Sequence, residues 1–491
     1  MSDRDKSWAT LDRDLNRISR VEYATAYVSR PLVGPGIALA FIVVAGLMAA
    51  ILMGTTDLNY VVVAAAVFGA YMALNIGAND VANNMGPAVG ANALTMGGAI
   101  LIAAIFESAG ALLAGGDVVS TISRGIIDPA TIADPRIFVW AMMAALISSA
   151  LWVNLATWVG APVSTTHSVV GGVMGAGIVA AGMSAVNWPS MGAIAASWVI
   201  SPLMGGLIAA AFLALIKSRI IYREDKIAAA RVWVPILLGI MAGTFGTYLA
   251  LKGLNKVVKV DMRLALLIGL GIGLACYAIC VPLIRRQSAG MENRNKSLKV
   301  LFGLPLVFSA ALLSFAHGAN DVANAVGPLA AIVHAIEDGG TSDRVNIPTW
   351  VMVIGAFGIS FGLFLFGPKL IRMVGSQITK LNPMRAYCVS LSAAITVIVA
   401  SWLGLPVSST HIAVGAVFGV GFFREWDHER RARNGIHVPT EEKRVAPEER
   451  RRRKLVRRSH FLTIIAAWVI TVPAAALLSG LIFLLLSQLP A

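Results

Sequence analysis

Apolar runs of about 20 residues recur along the whole chain, at 35–54, 98–115, 191–216, 232–252, 262–284, 348–367, 386–403 and 461–486. Each is long enough to cross a bilayer as an α-helix. The pattern predicts an all-α polytopic membrane protein. Two longer apolar stretches, 137–182 and 386–423, admit either two spans each or re-entrant hairpins, and about 12 crossings are expected in all. One stretch interrupts the pattern. The uncharged run "YVVVAAAVFGAYMALNI" (60–76) leads directly into "GANDVANN" (77–84), with a carboxylate and three amides. A charged side chain at membrane depth costs at least a few kcal/mol, so Asp80 reads as functional.

Composition agrees. The 491 residues are 57% hydrophobic and 13% charged, against about 25% charged in soluble domains. The first 30 residues are polar and mixed in charge, which predicts a cytosolic tail with no cleavable signal. The net charge of +14 does not point to nucleic acid. Its basic residues cluster in the connecting segments 217–231, 285–299 and 424–458. Basic loops face the cytoplasm, so the expected location is the cell (inner) membrane with the N-terminus cytoplasmic. The Arg-rich end of the last segment also suits anionic lipid heads. Cys276, Cys280 and Cys388 show neither zinc spacing nor a disulfide framework.

The chain repeats itself. "GANDVANNMGPAVGA" (77–91) returns as "GANDVANAVGPLAAI" (318–332). "GAPVSTTHSVVGGVMGAG" (160–177) returns as "GLPVSSTHIAVGAVFGVG" (404–421), and "WVISP" (198–202) as "WVITVP" (468–473). The loop charges of the matched segments change side from one copy to the other. This predicts two inverted-topology repeats with the substrate between them near the midplane. The expected organisation is a cytosolic tail (1–34), an extra transmembrane helix (35–57), a first repeat (58–216), linking helices with basic loops (217–299), and a second repeat (300–486). The second repeat carries an inserted basic cytosolic loop at 424–460.

The motifs carry the chemistry. In a helix, Asn79 and Asn83 share a face, and Asp80 neighbours Asn83. Gly77, Pro87 and Pro328 weaken the helices, and freed carbonyls are tolerated at depth only where they line a site. Asn79, Asp80 and Asn83, with Asn320, Asp321 and Asn324 in the second copy, form an oxygen-rich set suited to Na⁺ or another hard cation. The aspartates alternatively accept protons. After Pro162 and Pro406, the hydroxyls Ser164, Thr165 and Thr166, and Ser408, Ser409 and Thr410, open new helical runs. Hydroxyls at a helix start cap free amides, and the same start favours an anion. Two such starts aimed at one point suit a phosphate-like oxyanion.

No Lys or Arg lies in these motifs. An anion beside two aspartates at low dielectric is repelled, so cations must enter with it. The coupling is then mutual neutralisation. Glu107 sits in an apolar run and reads as part of a cation path, while His167, His317 and His411 are candidates for coupling or gating. His317 precedes only the second copy of its motif, where Ile76 stands in the first. The glycine runs after each "TH" predict close helix packing.

These residues resemble the inorganic phosphate transporter (PiT, or phosphate permease) family over about 60–216 and 300–486. The paired "GANDVAN" and "PVS(S/T)TH" signatures carry the resemblance. It implies two re-entrant hairpins meeting a bound phosphate, symport with Na⁺ or H⁺, in some bacterial members with metal–phosphate complexes, and a homodimer. It also implies phosphate contacts from Ser164, Thr165, Thr166, Ser408, Ser409 and Thr410, and cation sites at the Asp and Asn pairs. Glu107 matches the family's acid in the first half, whereas Ser390 stands where some members have a Glu. No enzymatic cofactor is expected. The alternatives are a sulfate or other oxyanion permease of the same architecture, an intramembrane hydrolase using Ser164 or Ser408 with a neighbouring His, and a channel. The hydrolase lacks a strained G-x-S-x-G nucleophile and gives no use for a duplicated site.

Overall fold

The computed structural model describes residues 32–53, 59–128, 131–132, 134–159, 163–256, 258–337, 347–373, 381–434 and 458–488. Expectations for Pro162, for most of the N-terminal tail and for most of the 424–460 segment lie outside them. In chain order the helices are α1 (Leu32–Met53), α2 (Asn59–Asn79), α3 (Val81–Gly90), α4 (Met96–Ala114) and α5 (Gly116–Ser120). They continue as α6 (Pro135–Val159), α7 (Thr165–Ala181), α8 (Trp188–Ile216), α9 (Lys226–Lys252), α10 (Met262–Gln287) and α11 (Asn295–Leu301). The second half holds α12 (Gly303–Glu337), α13 (Thr349–Met373), α14 (Pro383–Trp402), α15 (Ser409–Arg433) and α16 (Arg458–Leu486). One antiparallel bridge, Ile127 to Val186, is the sole β pairing among the described residues.

The helices begin where short polar side chains accept a free amide. Thr95, Asn187, Asp225, Asp261 and Asn382 cap α4, α8, α9, α10 and α14. Among the described residues, eleven helices are long and apolar enough to cross a membrane, against about 12 expected. Two helices that open at the hydroxyl motifs fall short of that measure. α7 has only 17 residues, and α15 ends in the charged stretch "REWDHERRAR". Where lipid would lie, leucines face outward, as at Leu203 and Leu207 on α8, Leu267 and Leu270 on α10, and Leu477 and Leu485 on α16.

α12 is the most buried span. It is wrapped by α2, α4, α6, α13 and α14. Packing runs crosswise between the two copies of the sequence: α2 lies on α13 and α4 on α12, while α7 lies on α16 and α8 on α15. Glycines set these crossings, because apolar burial does not drive helices together in lipid and close backbone approach does. Gly77 of α2 meets the carbonyl of Ile359, and Gly318 of α12 meets that of Glu107. Gly171 and Gly175 sit on Val472 and Ala476, and Gly415 and Gly419 on Pro202 and Gly206. A methyl group at any of these positions would occupy the space of a backbone atom.

One expectation needs correction. The "GANDVAN" segments do not present a row of freed carbonyls. α12 runs unbroken through Asp321, with Pro328 inside it. In the first copy the chain breaks only between α2 and α3, at Asp80, and even there Asp80 N reaches Ile76 O at 2.9 Å. The close helix crossings at Gly77 and Gly318 pack these segments as helix despite the weak formers in them.

Candidate functional site

The hydroxyl motifs enter the core at two helix starts. One opens α7, and the other opens α15 after the turn that follows α14. Ser164 and Ser408 cap the new helices, accepting the amides of His167 at 3.3 Å and His411 at 3.4 Å. Both helix starts end inside the protein: Ser164, Thr165, Thr166, Ser408 and Ser409 are all buried.

They meet the Asp and Asn motifs there in matched pairs. Thr165 Oγ1 donates to Asp80 Oδ2 at 2.9 Å, and Ser409 Oγ to Asp321 Oδ2 at 3.4 Å. The asparagines cross between copies. Asn83 Nδ2 donates to Thr410 Oγ1 at 2.9 Å. Asn324 Nδ2 donates to Thr166 Oγ1 at 3.1 Å and Thr165 Oγ1 at 3.3 Å. The two tips also touch, as Thr166 Oγ1 donates to Val407 O at 3.1 Å. Asn320 serves the second turn: Nδ2 donates to Ser401 Oγ and Leu405 O, and Oδ1 accepts from Val407 N. Its counterpart Asn79 is half-buried. The structure therefore gathers both sets of hydroxyls and both aspartates around one centre.

A second polar layer lies behind Asp321. Glu107 is fully buried on α4 and accepts from Asn84 Nδ2 at 2.9 Å. Its other oxygen is 2.7 Å from His317 Nδ1. His317 Nε2 approaches Asp321 Oδ2 to 2.8 Å, an ion-pair distance at an angle unsuited to a regular hydrogen bond. Asp80, His317 and Asp321 each offer a ligand atom within 4.8 Å of the others. Asp321 Oδ1 and Asn324 Oδ1 are buried and accept no hydrogen bond from the described residues. Among those residues no Lys or Arg is buried.

The three histidines separate. His317 lies in the carboxylate layer. His167 and His411 lie together, rings 5.0 Å apart, with Trp198 stacked on His167 at 3.8 Å. It is the backbone amide of His167 that reaches Ser164 Oγ. Ser390 is buried on α14, but the packing counterpart of Glu107 is not there. Gly318 crosses Glu107 as Gly77 crosses Ile359, so Ile359 holds the matching place. Sequence reasoning passed over Asn84 and Trp198. The signal for Asn84 was the last letter of the motif, Asn in one copy and Ala325 in the other. For Trp198 there was only a repeated "WVI".

Residues 76–479 match the model of the phosphate transporter family. A Helicobacter pylori protein (strain J99) named "Putative phosphate permease" is 45% identical over 525 aligned positions, covering 96% of this chain and 98% of its own. A protein of the same description from Pyrococcus abyssi is 37% identical, over 86% of this chain and 96% of its own. Among solved structures, one titled "The sodium-dependent phosphate transporter" superposes with a TM-score of 0.78 at 34% identity, covering 88% of this chain and all of that one.

Proposed function

Since the chain belongs to the phosphate transporter family, we propose that it imports inorganic phosphate by symport with a cation, Na⁺ or H⁺, across the cell's inner membrane. The observation that carries this reading is the matched pairing of hydroxyl-bearing helix starts with Asp and Asn side chains around one buried centre. Ser164, Thr165 and Thr166, with Ser408, Ser409 and Thr410, supply hydroxyl and amide donors for the oxyanion. Asp80 and Asp321, with Asn79, Asn83, Asn320 and Asn324, supply oxygens for the co-transported cation. The unpaired Asp321 Oδ1 and Asn324 Oδ1 fit a hard cation, which binds through oxygen. With no buried Lys or Arg among the described residues, the anion lacks a fixed positive partner. Its charge and those of the aspartates are balanced only when the cation enters too, which couples the two. The chain works as two inverted halves, with the N-terminus and the basic loops on the cytoplasmic side.

Radiolabelled phosphate uptake into proteoliposomes tests this. The assay compares an inward Na⁺ gradient, an inward H⁺ gradient and no gradient, each with and without excess sulfate. Uptake driven by one gradient and unaffected by sulfate is expected, and names the ion. Gradient-driven uptake of labelled sulfate with none of phosphate would overturn the substrate and keep the architecture. Flux that needs no cation and does not saturate would indicate a channel.

A further inference from the structure

Three consecutive carbonyls in the turn before α15 are each held by a different helix. Asn320 Nδ2 on α12 donates to Leu405 O at 3.1 Å. Trp198 Nε1 on α8 donates to Pro406 O at 3.0 Å. Thr166 Oγ1 on α7 donates to Val407 O at 3.1 Å. Asn320 and Thr166 belong to the "GANDVAN" and "PVS(S/T)TH" motifs, and Trp198 to neither, though it opens the repeated "WVISP" segment.

Trp198 reaches both hairpins at once. Its edge holds the second turn, through Pro406. Its face lies on His167, the third residue of α7, with ring centroids 3.8 Å apart and planes inclined by 32°. His167 in turn stands edge-on to His411 of α15 at 5.0 Å. The helix that carries Trp198 is a firm base, since Gly205 and Gly206 of α8 lie directly against Ile412 and Gly415 of α15. The indole N–H is a donor only, and a buried carbonyl that loses its donor bears the desolvation cost alone. Beside the direct Thr166–Val407 bond, a side chain joined to one tip by a hydrogen bond and to the other by ring contact braces the two against each other.

We propose that Trp198 is a positioning residue of the transport site: it fixes the separation of the α7 and α15 starts, and so the size of tetrahedral oxyanion accepted. The inference rests on the oxyanion reading above. It concerns discrimination between phosphate and arsenate, which carries similar charge on longer bonds to oxygen.

The test uses the full-length protein in proteoliposomes. Phosphate and arsenate uptake are measured for wild type and Trp198→Phe, which keeps an aromatic face and loses the N–H. The expected result is a phosphate KM raised up to about tenfold, as for a lost, partly buried hydrogen bond. Vmax should stay within about twofold, and the preference for phosphate over arsenate should narrow. If the Phe variant does not purify as a monodisperse protein, benzothienylalanine at position 198 replaces only the N–H by sulfur and is read the same way. An unchanged KM with an unchanged phosphate-to-arsenate ratio would overturn the proposal, as would a loss confined to Vmax. Wild-type protein that takes up neither oxyanion would instead overturn the functional reading, and this inference with it.

Discussion

Behind Asp321, His317 bridges to Glu107, and Glu107 accepts from Asn84. Behind Asp80, the matching positions hold Ile76, Ile359 and Ala325, all fully buried. The groups that face the centre are nevertheless paired in both halves: Thr165 with Asp80 and Ser409 with Asp321, Asn83 with Thr410 and Asn324 with Thr166. On the proposed reading, an oxyanion held between the starts of α7 and α15 needs donors from both, which keeps the groups at the centre duplicated. Charge balance needs no such symmetry. His317 contacts Glu107 and Asp321 directly and stands within 4.8 Å of Asp80, which accepts a hydrogen bond from the Thr165 hydroxyl. A buried charge with no direct ion-pair contact is unfavourable, so on the proposed reading an entering cation gains most at Asp80.

The largest test of that contrast is unequal loss on neutralising the two aspartates. Asp80→Asn should reduce cation-driven uptake by on the order of 100-fold, and Asp321→Asn by about tenfold, the range expected when a buried charge partner is removed. Initial uptake rates at saturating phosphate decide it, and equal losses would break the contrast. Next comes the histidine itself. His317→Ala strands two carboxylates and should cost about 3–5 kcal/mol of stability, read as a lower Tm. Replacing the whole layer by its counterpart (Asn84→Ala, Glu107→Ile and His317→Ile together) should recover most of that Tm, because apolar replacement of a complete buried network is often neutral. A triple variant as unstable as the single one would show that the two sides are not interchangeable in shape.

A smaller difference separates the hydroxyls. Thr165→Val removes a 2.9 Å bond to Asp80, and Ser409→Ala a 3.4 Å bond to Asp321. Each loss is worth about 1–2 kcal/mol, with Thr165 the larger, and cation titration of phosphate uptake measures both. The smallest effect lies at the far end of α15. There Asp427 accepts from Lys217 Nζ at 2.7 Å and from the Tyr222 hydroxyl. Partial burial alone would raise the Asp427 carboxyl, but these donors and Arg431 hold it below its ordinary 3.8. Burial and Asp427 itself push the Tyr222 phenol up to about 12, so it stays neutral. A depressed carboxylate contributes stability that is present above its ordinary pKa and lost as pH falls through the lowered one. Asp427→Asn should therefore cost no more than about 1 kcal/mol of stability at neutral pH, read as a small drop in Tm. That gap should close as the pH drops below about 4.

Much of this site was legible in the sequence. Apolar length identified the helices, and repetition paired Asp80 with Asp321 and the two hydroxyl runs with each other. The position of each "PVS" motif ahead of an apolar run anticipated the caps at Ser164 and Ser408. The break at Asp80 was read less well, since weak helix formers suggested unwound segments and glycine-mediated crossings keep them helical.

What the sequence by itself determined was the membrane class, the duplication and the chemistry gathered at its motifs. Each depends on local length, composition or recurrence, which a single chain displays directly. The tertiary structure alone decided which groups meet. It sent Asn83 and Asn324 across to the opposite hairpin, made Ile359 rather than Ser390 the partner in place of Glu107, and set Trp198 between the two tips. Periodicity reports which residues share a face, but the neighbour of that face depends on how helices far apart in sequence cross, and here glycines hundreds of residues from their contacts set those crossings.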